Sequence, residues 1–364
     1  MLVETSARVL AVLLLPALAL ACIAAEAGAA MELLAWSGWL GLALAIEELS
    51  PRIGRTPRIT VGTATALCLA APVLQAGLVI YALWLVSLTP TGPGQIAAMA
   101  IMLGTSGGTI GISAAHELVH RRSALARGVA QAFMLLVSYP HFPIVHLRVH
   151  HPYVGTPFDP GTSRVNEPLA RFLGRAFVLS WRSAWRIERE RLACKGLTLW
   201  RWENGMLRAF ASQMAVYAAV GIAFGGIGLA LFLGQSVVAI FLTLAIDYTQ
   251  HYGVVRHEVA PGRLERVRAH HAWTSDHASN QSTFNLGLHA DHHLAPARDY
   301  AQLANAGGSL QTPFGYAGLV LLAMVPPLWY RVMNSRLPAG QGLEHAKELF
   351  SPSAPRSIRS PLSK

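Results

Sequence analysis

Charged residues are scarce in this sequence. They make up 13% of its 364 residues, whereas hydrophobic residues make up 53%. Soluble globular domains carry about a quarter charged residues, so this composition argues against a soluble protein. Several apolar runs are longer than a soluble core helix needs, and about twenty apolar residues are enough to cross a bilayer. The sequence therefore predicts an integral membrane protein.

Cysteine is equally scarce. Cys22, Cys68 and Cys194 are far apart in the sequence, which excludes a disulfide framework and a CxxC metal site. Iron–sulfur clusters are typically held by four cysteine thiolates. We therefore expect no iron–sulfur or rubredoxin-type domain to be fused to this chain. Low complexity is confined to the end of the sequence.

Six segments are predicted to span the membrane, which indicates an all-α membrane protein. The second is short, and a glycine-rich bend around Gly225 and Gly226 is all that separates the last two. The apolar residues 128–140 are too few for a span and suit a re-entrant or interfacial segment. The predicted spans lie near residues 8–28, 31–47, 61–87, 94–115, 206–226 and 228–247.

We expect residues 1–350 to form a single membrane-embedded domain, followed by a disordered Ser-, Pro- and Arg-rich tail at 351–364. Residues 1–30 have a second interpretation. Arg8 precedes an apolar stretch that ends in small residues, as in a cleavable secretory signal. A retained first helix is the more usual arrangement for a protein with several spans.

The basic residues predict which side of the membrane the loops occupy. They follow the second, fourth and sixth predicted spans, and none lies in the loops at 88–93 and around residue 226. Lys and Arg in short loops mark the cytoplasmic side, so the net charge of +10 is mostly a topology signal. The basic residues are dispersed and lack interleaved aromatic patches, which argues against nucleic-acid binding. They are Arg52, Arg55, Arg58, Arg121, Arg122, Arg127, Arg256, Arg263, Arg266 and Arg268.

Histidine, by contrast, is abundant, and fifteen are present. The segment ISAAHELVHRR contains HELVH, a match to the HExxH signature of zinc peptidases. On a helix, His116 and His120 share one face and can hold one metal, with Glu117 as the peptidase base. A peptidase also needs one further ligand and a site open to a peptide.

Three further segments place histidines just past the ends of the fourth and sixth spans. VHLRVHHPYVGTPFDP has histidines at spacings of four and one, which predicts a single helical face. NLGLHADHHLAP has them at spacings of three and one, and IDYTQHYGVVR adds another. Together with HELVH they supply nine imidazoles: His116, His120, His146, His150, His151, His251, His289, His292 and His293.

Nine imidazoles are too many for one tetrahedral zinc, and two metals with four or five ligands each would use them all. Imidazole binds iron, copper, zinc and nickel, so the metal stays open at this point. The isolated His141, His257 and His277 are more readily explained as surface or satisfied polar residues. Nearby carboxylates are expected to orient imidazole N–H groups, although a solvated or salt-bridged role is equally open. These are Glu117, Asp159, Asp247 and Asp291.

Five motifs in order resemble the membrane di-iron alkane 1-monooxygenase family, within the superfamily of membrane fatty-acid desaturases and hydroxylases. They are HELVHRR, HLRVHHPYVGTPFDPGTSR, DYTQHYGVVR, HHAWTSDHASN and NLGLHADHHLAPARDY, and the resemblance runs from about residue 100 to 335. It implies six spans in the bacterial inner membrane and two non-haem irons held by the nine histidines on the cytoplasmic side. It also implies dioxygen as the oxidant and hydroxylation of a terminal methyl group to a primary alcohol.

The sequence departs from that family at four places, none of which is one of the nine histidines. Val145 and Gln250 stand where alkane-oxidising members usually have Glu, and Leu288 and Ala290 replace the usual Arg and Ser. QHYG and HRR also resemble the xylene-type branch, which hydroxylates methyl groups on aromatic rings. An alkylarene methyl hydroxylase and a fatty acyl desaturase or hydroxylase are therefore alternatives. A zinc peptidase would leave most of the histidines unused, and a transporter would place its ligands inside the spans.

An inert C–H bond cannot be attacked by a protein acid, base or nucleophile, so a redox metal has to activate dioxygen. Two electrons must then come from a separate carrier, which the resemblance implies is a rubredoxin or a ferredoxin with its reductase. The basic residues of the predicted cytoplasmic loops would attract an acidic carrier. Alternatively, these residues only determine the orientation of the protein in the membrane. An apolar substrate is expected to reach the metals from the bilayer. The walls of its pocket are predicted to include Trp36, Trp39, Tyr81 and Trp84, although aromatic residues near the membrane boundary also serve as interface anchors.

Overall fold

A computed structural model describes residues 2–25, 28–50, 52, 59–260 and 263–338. Arg55, Arg58 and the predicted tail 351–364 lie outside the described residues. The described chain is mostly helical, and four of its helices are long and apolar enough to cross a membrane. These helices are Ala29–Leu49, Val61–Leu88, Pro93–Val119 and Gly205–Gln250.

The first three helices overlap the first three predicted spans, and the second and third are among the four that are long and apolar enough to cross a membrane. They are α1 (Leu2–Ala24), α2 (Ala29–Leu49) and α3 (Val61–Leu88). At the start of α3 the Thr60 side chain accepts a hydrogen bond from the backbone N–H of Thr63, so one of the unpaired donors of the helix end is satisfied.

The next span, Pro93–Val119, contains a π-turn. Helix α4 (Pro93–Ser106) passes through the π-turn Gly107–Gly111 into α5 (Ile112–Val119). Glycine is required at Gly111 because a β-carbon there would overlap the ring of Phe133. Gly104 and Gly108 likewise lie against Val238 and Ala239 of the longest helix. The small residues of this span are therefore buried in contacts within the chain.

The longest helix, α10 (Gly205–Gln250), reverses its direction at Gly225, where φ is 68°. The rings of Tyr217 and Phe232 lie 6.0 Å apart. Fifteen residues of unbroken helix would separate them by about 22 Å. Residues 205–224 and 226–250 therefore run antiparallel, and the bend falls at the glycines where the sequence predicts it. Both ends of α10 consequently lie on the same side of the bundle.

Shorter elements cover that side. The 13 residues of α6 are too few to cross a bilayer, in agreement with the short apolar segment predicted there. The remaining helices are α6 (Ala124–Leu136), α7 (Phe142–Val145), the π-turn His146–His150, α8 (His151–Tyr153), α9 (Leu169–Ala193), α11 (His289–Leu294), α12 (Tyr316–Ala323) and α13 (Pro326–Met333), with 3-10 turns at Ala269–His271, Ala278–Gln281, Tyr300–Gln302 and Asn334–Arg336.

Among the described residues, β structure is limited to four strands of two or three residues, so the predicted all-α class holds apart from these. β1 (Glu258–Ala260) pairs antiparallel with β2 (Arg263–Leu264), and β3 (Trp273–Thr274) pairs parallel with β4 (Leu310–Gln311).

The end of α2 is joined to the start of α12 by a buried carboxylate. Glu47 accepts hydrogen bonds of 3.1 and 3.0 Å from the backbone N–H groups of Tyr316 and Ala317. A carboxylate is favourable there because the first N–H groups of a helix are unpaired and carry a partial positive charge. This contact fixes one membrane helix to the segment that follows the last histidine motif.

Candidate metal centre

The nine predicted histidines converge on the side of the bundle where α10 begins and ends. They form two groups, and within each group one nitrogen of every imidazole lies within 4.8 Å of the others. The five-histidine group contains His116, His120, His146, His151 and His292, and the four-histidine group contains His150, His251, His289 and His293.

The HELVH histidines lie on the same helix end, as their spacing predicts. His116 belongs to the last turn of α5, and His120 is the residue that caps it. Their ring centroids are 5.4 Å apart, and both enter the five-histidine group. HELVH is thus one arm of a larger cluster.

The predicted single face for His146, His150 and His151 is wrong. These residues lie at a π-turn, in which the backbone N–H of His151 bonds to the carbonyl of His146, five positions earlier. The wider turn brings His146 and His151 together, with 2.9 Å between their Nε2 atoms. His150 faces the four-histidine group instead. One short segment therefore supplies both groups.

The third histidine segment is also divided between the groups. On α11, His289 and His293 are four residues apart and their Nε2 atoms are 3.1 Å apart. His292 faces the other way, with its Nε2 3.2 Å from that of His151. His251 follows the last residue of α10 and completes the four-histidine group, 2.9 Å from His289.

Hydrogen bonding alone cannot satisfy the five-histidine group. The Nε2 atoms of His120, His146 and His151 are mutually close, at 2.9, 2.9 and 3.3 Å. A neutral imidazole nitrogen is either a donor or an acceptor, so among three such atoms at least two must be alike and repel. A cation between them would accept all three lone pairs. Nitrogen atoms held about 2.1 Å from one ion lie about 3 Å apart when they subtend a right angle, so these distances fit a metal.

Burial keeps these imidazoles in the form that binds metals. It lowers the pKa of His120 to about 4, helped by the neighbouring His150. It also lowers the pKa of His292 and His293 well below the usual range, and the surrounding imidazoles act in the same direction. Neutral histidine is the metal-binding form.

Asp159 has the position predicted for an orienting carboxylate. Its Oδ2 lies 3.0 Å from Nδ1 of His150 and accepts a 2.7 Å bond from the hydroxyl of Thr162. Burial alone would lower the pKa of His150, but the Asp159 carboxylate outweighs burial and raises it. The carboxylate thus fixes the ring of His150, whose buried Nε2 has no protein partner and belongs to the four-histidine group.

Two other candidate carboxylates have salt-bridge partners instead. Glu117 lies 2.5 Å from the guanidinium of Arg121 and accepts a bond from the backbone N–H of Tyr300. Asp291 lies 2.6 Å from Arg298. Glu117 is therefore engaged rather than available as a peptidase base. The fourth candidate, Asp247, lines a small cavity beside His146 and His150.

A second, apolar cavity of about 430 Å³ lies between α1, α2, the π-turn Gly107–Gly111 and α10. Trp36 and Trp39 line it, and the indole N–H of Trp36 donates a 3.0 Å hydrogen bond to Thr105. Its volume lies within the range of small-molecule sites. Tyr81 and Trp84 are not part of its lining. Phe241 and Tyr316 are, although no motif in the sequence marks them as cavity residues.

Comparisons with known proteins agree with the geometry. A fatty acid desaturase family model matches residues 94–319. Alkane 1-monooxygenase 1 of Pseudomonas aeruginosa is 38% identical over 260 residues, which cover 71% of this chain and 67% of that protein. An alkane 1-monooxygenase of Ectopseudomonas oleovorans is 32% identical over 84% of this chain and 78% of its own length. The hydroxylase component of a xylene/toluene monooxygenase from Pseudomonas putida is 29% identical over 66% of this chain and 64% of its own length.

Proposed function

Because the chain belongs to the alkane 1-monooxygenase family, within the wider fatty acid desaturase family, we infer that it is an alkane 1-monooxygenase. It converts a terminal methyl group of an alkane into a primary alcohol. One alkane, one dioxygen, two electrons and two protons give one alcohol and one water. The xylene-type alternative has less support, because that relative is less similar and covers less of the chain.

We propose that the five-histidine and four-histidine groups each bind one iron, which makes all nine predicted histidines ligands. The mutual contact of His120, His146 and His151 carries this proposal, because those three nitrogens need a cation between them. When bound, iron supplies the redox chemistry that activates dioxygen toward an inert C–H bond. Asp159 orients His150, and burial favours the neutral form of His120, His292 and His293.

Six spans and a cytoplasmic centre are the topology we propose for one domain over residues 1–350. The four long helices supply five crossings once the two legs of α10 are counted separately, and α1 supplies the sixth. Arg121 and Arg256 adjoin histidine motifs on the side where α10 begins and ends, which supports a cytoplasmic location for the centre. In a bacterium this side of the inner membrane faces the soluble reductants.

The apolar cavity supports a route for the substrate from the bilayer. Its lining comes mainly from membrane helices and is largely aliphatic or aromatic, as an alkane requires. The two electrons have to come from another protein, and we propose a rubredoxin, or a ferredoxin with its reductase. The basic residues on the side of the metal centre would attract an acidic carrier.

A turnover assay tests the function. The purified protein, supplied with an electron donor, is offered octane, xylene and a fatty acyl ester, and the products are identified. We expect 1-octanol in the parent and none in His116→Ala. His270→Ala is the matched control, because His270 belongs to neither histidine group. Oxidation of xylene without octanol would move the protein to the alkylarene branch, and oxygen-independent activity would contradict the account.

A further inference from the structure

Positive charge is concentrated in one part of the chain. Residues 169–210 contain nine basic and three acidic residues, a net charge of +6 out of +10 for the whole sequence. They form α9, the loop 194–204 and the first residues of α10, and none of them belongs to a histidine group. The same segment contains four of the nine tryptophans: Trp181, Trp185, Trp200 and Trp202.

Helix α9 exposes two adjacent flanks of different chemistry. A helix turns by about 100° per residue, so Phe177 and Trp181, four residues apart, lie along one flank. Arg171, Arg182 and Arg189, at spacings of 11 and 7, lie along the next flank, and all three are exposed. Phe177 is exposed as well, and Trp181 is partly exposed. An apolar strip beside a basic strip is typical of a helix that lies in a membrane interface.

The apolar flank of α9 lies against the first leg of α10, which crosses the membrane in the proposed topology. The ring centroids of Trp181 and Phe210 are 6.5 Å apart, and Phe210 is the sixth residue of α10. Six helical residues advance by about 9 Å, so Trp181 lies close to the level at which α10 enters the bilayer. Phe177 and Phe210 are both exposed on the protein surface, where acyl chains would cover them.

The loop between α9 and α10 presents two tryptophans to the outside. Trp200 and Trp202 are 81% and 63% exposed, although hydrogen bonds hold the loop in place. The side chain of Asn204 donates a 2.8 Å bond to the carbonyl of Leu199, and Arg208 donates a 2.8 Å bond to the carbonyl of Trp202. Trp202 precedes α10 by three residues, which places it at the membrane boundary. Tryptophan is enriched there because its ring is apolar and its N–H is polar.

The acidic residues of this segment leave most of its positive charge exposed. Glu188 is buried and already pairs with Arg148 and Arg191. Glu203 lies 3.6 Å from Arg201, and both of these side chains stay about half exposed. Exposed basic residues at a membrane boundary attract anionic lipid head groups.

We propose that the exposed flanks of α9 and the loop 194–204 bind anionic phospholipids of the surrounding bilayer. Trp181 lies at the edge of the acyl chains, Trp200 and Trp202 lie at the level of the head groups, and the arginines bind lipid phosphates. An acidic electron carrier would be attracted by the same charge. The contact of Trp181 with Phe210 favours the lipid, because it places this surface at the bilayer boundary.

Lipid binding to the purified full-length protein tests this surface. Native mass spectrometry compares phosphatidylglycerol, which is anionic, with phosphatidylcholine, which is zwitterionic, and the parent should bind the anionic lipid more tightly. One basic residue near an anionic surface is worth about five-fold in affinity. The double variant Arg182→Gln, Arg189→Gln should therefore weaken phosphatidylglycerol binding at least about five-fold.

The matched control is Arg263→Gln, Arg266→Gln, which removes the same charge from two exposed residues of another segment. It should bind both lipids as the parent does. Equal affinity of the parent for the two lipids, or the same loss in the control as in Arg182→Gln, Arg189→Gln, would overturn the inference.

The depth of the loop is tested with a nitroxide spin label in nanodiscs that contain phosphatidylglycerol. Cys194→Ser removes the exposed cysteine, and Trp200→Cys then carries the label. We expect the ratio of collisions with oxygen, which concentrates in the bilayer, to collisions with a water-soluble nickel complex to be several-fold higher than for Arg263→Cys in the same background. Equal ratios would show that the loop lies in water and would overturn the inference.

The double variant Trp200→Ala, Trp202→Ala separates a lipid from a protein partner. We expect it to retain less phosphatidylglycerol and to bind a rubredoxin as the parent does, whereas Trp84→Ala, which removes a half-exposed indole from α3, should match the parent in both. Weaker rubredoxin binding with unchanged lipid retention would assign the surface to the carrier and overturn the inference. None of these measurements requires turnover, so a failed lipid surface would leave the proposed function standing.

Discussion

The Nε2 atoms of His146 and His151 lie 2.9 Å apart, although the two residues are five positions apart in the sequence. In an α-helix, residues five apart point about 140° away from each other, since each residue turns the helix by about 100°. The π-turn removes this difference by widening the helix for one turn. It also sends the neighbouring His150 and His151 into separate histidine groups.

Asp159→Asn should weaken metal binding. The substitution removes the negative charge that holds Nδ1 of His150, and loss of such an orienting partner typically costs about 10–100-fold in metal affinity. The affinity can be measured by competition with a chelator. Asp276→Asn is a suitable control because Asp276 pairs with Arg52 and contributes to neither histidine group. Equal metal retention in the two variants would contradict the role given to Asp159.

Gly111→Ala should destabilise the protein. The added methyl group would overlap the ring of Phe133, and overpacking of this kind typically costs about 1–3 kcal/mol. Gly128→Ala is the matched control: Gly128 lies on α6 with open space around its α-carbon, so alanine should leave stability unchanged or raise it by up to about 1 kcal/mol. Thermal unfolding in one detergent compares the two. A higher unfolding temperature for Gly111→Ala than for the parent would show that the π-turn is not tightly packed.

Trp39→Ala should change which alkanes are accepted. Removing the indole enlarges the apolar cavity, and each additional buried methylene is worth about 0.8 kcal/mol. We therefore expect kcat/KM to rise for longer alkanes relative to octane. Trp84→Ala is the control, because Trp84 is about half exposed and does not line the cavity. An identical chain-length profile in parent and Trp39→Ala would show that the substrate does not use this cavity.

Cys194 offers a direct test of the topology. It is exposed, whereas Cys22 and Cys68 are buried, and it lies between α9 and the start of α10. Because both ends of α10 are on the side of the metal centre, we expect a membrane-impermeant maleimide to label Cys194 in inverted vesicles but not in right-side-out vesicles. Cys194→Ser controls for labelling elsewhere. The reverse pattern would place the centre outside the cytoplasm.

The sequence predicts which histidines come together, and the family that the motifs suggested is confirmed by the comparisons. Clustered histidines are rare outside metal sites and can be recognised without knowing the fold. The assignment of each histidine to one of the two groups was not predictable by the same argument. It depends on the π-turn at His146–His150, whose single additional residue per turn has no marker in the spacing itself.

The roles of the carboxylates show the same limit. The contact of Asp159 with His150 is local, nine residues apart, and it agrees with one of the two roles that the sequence left open for this carboxylate. Glu117 is instead fixed partly by the backbone of Tyr300, 183 positions later. Contacts across that distance depend on how the segments after α10 fold back over the membrane helices, which no short motif specifies. The lining of the apolar cavity likewise combines residues that are far apart in the sequence, such as Trp36 and Tyr316, so no short motif specifies it.

Metal analysis of the purified protein tests the central claim most directly, when the parent is compared with one variant from each histidine group. The account predicts about two irons per chain in the parent, one for each group. His292→Ala and His251→Ala should each lose metal and hydroxylation while the protein stays folded in the membrane, and His270→Ala should match the parent. One zinc per chain in the parent, or full iron and turnover in either His292→Ala or His251→Ala, would contradict the account.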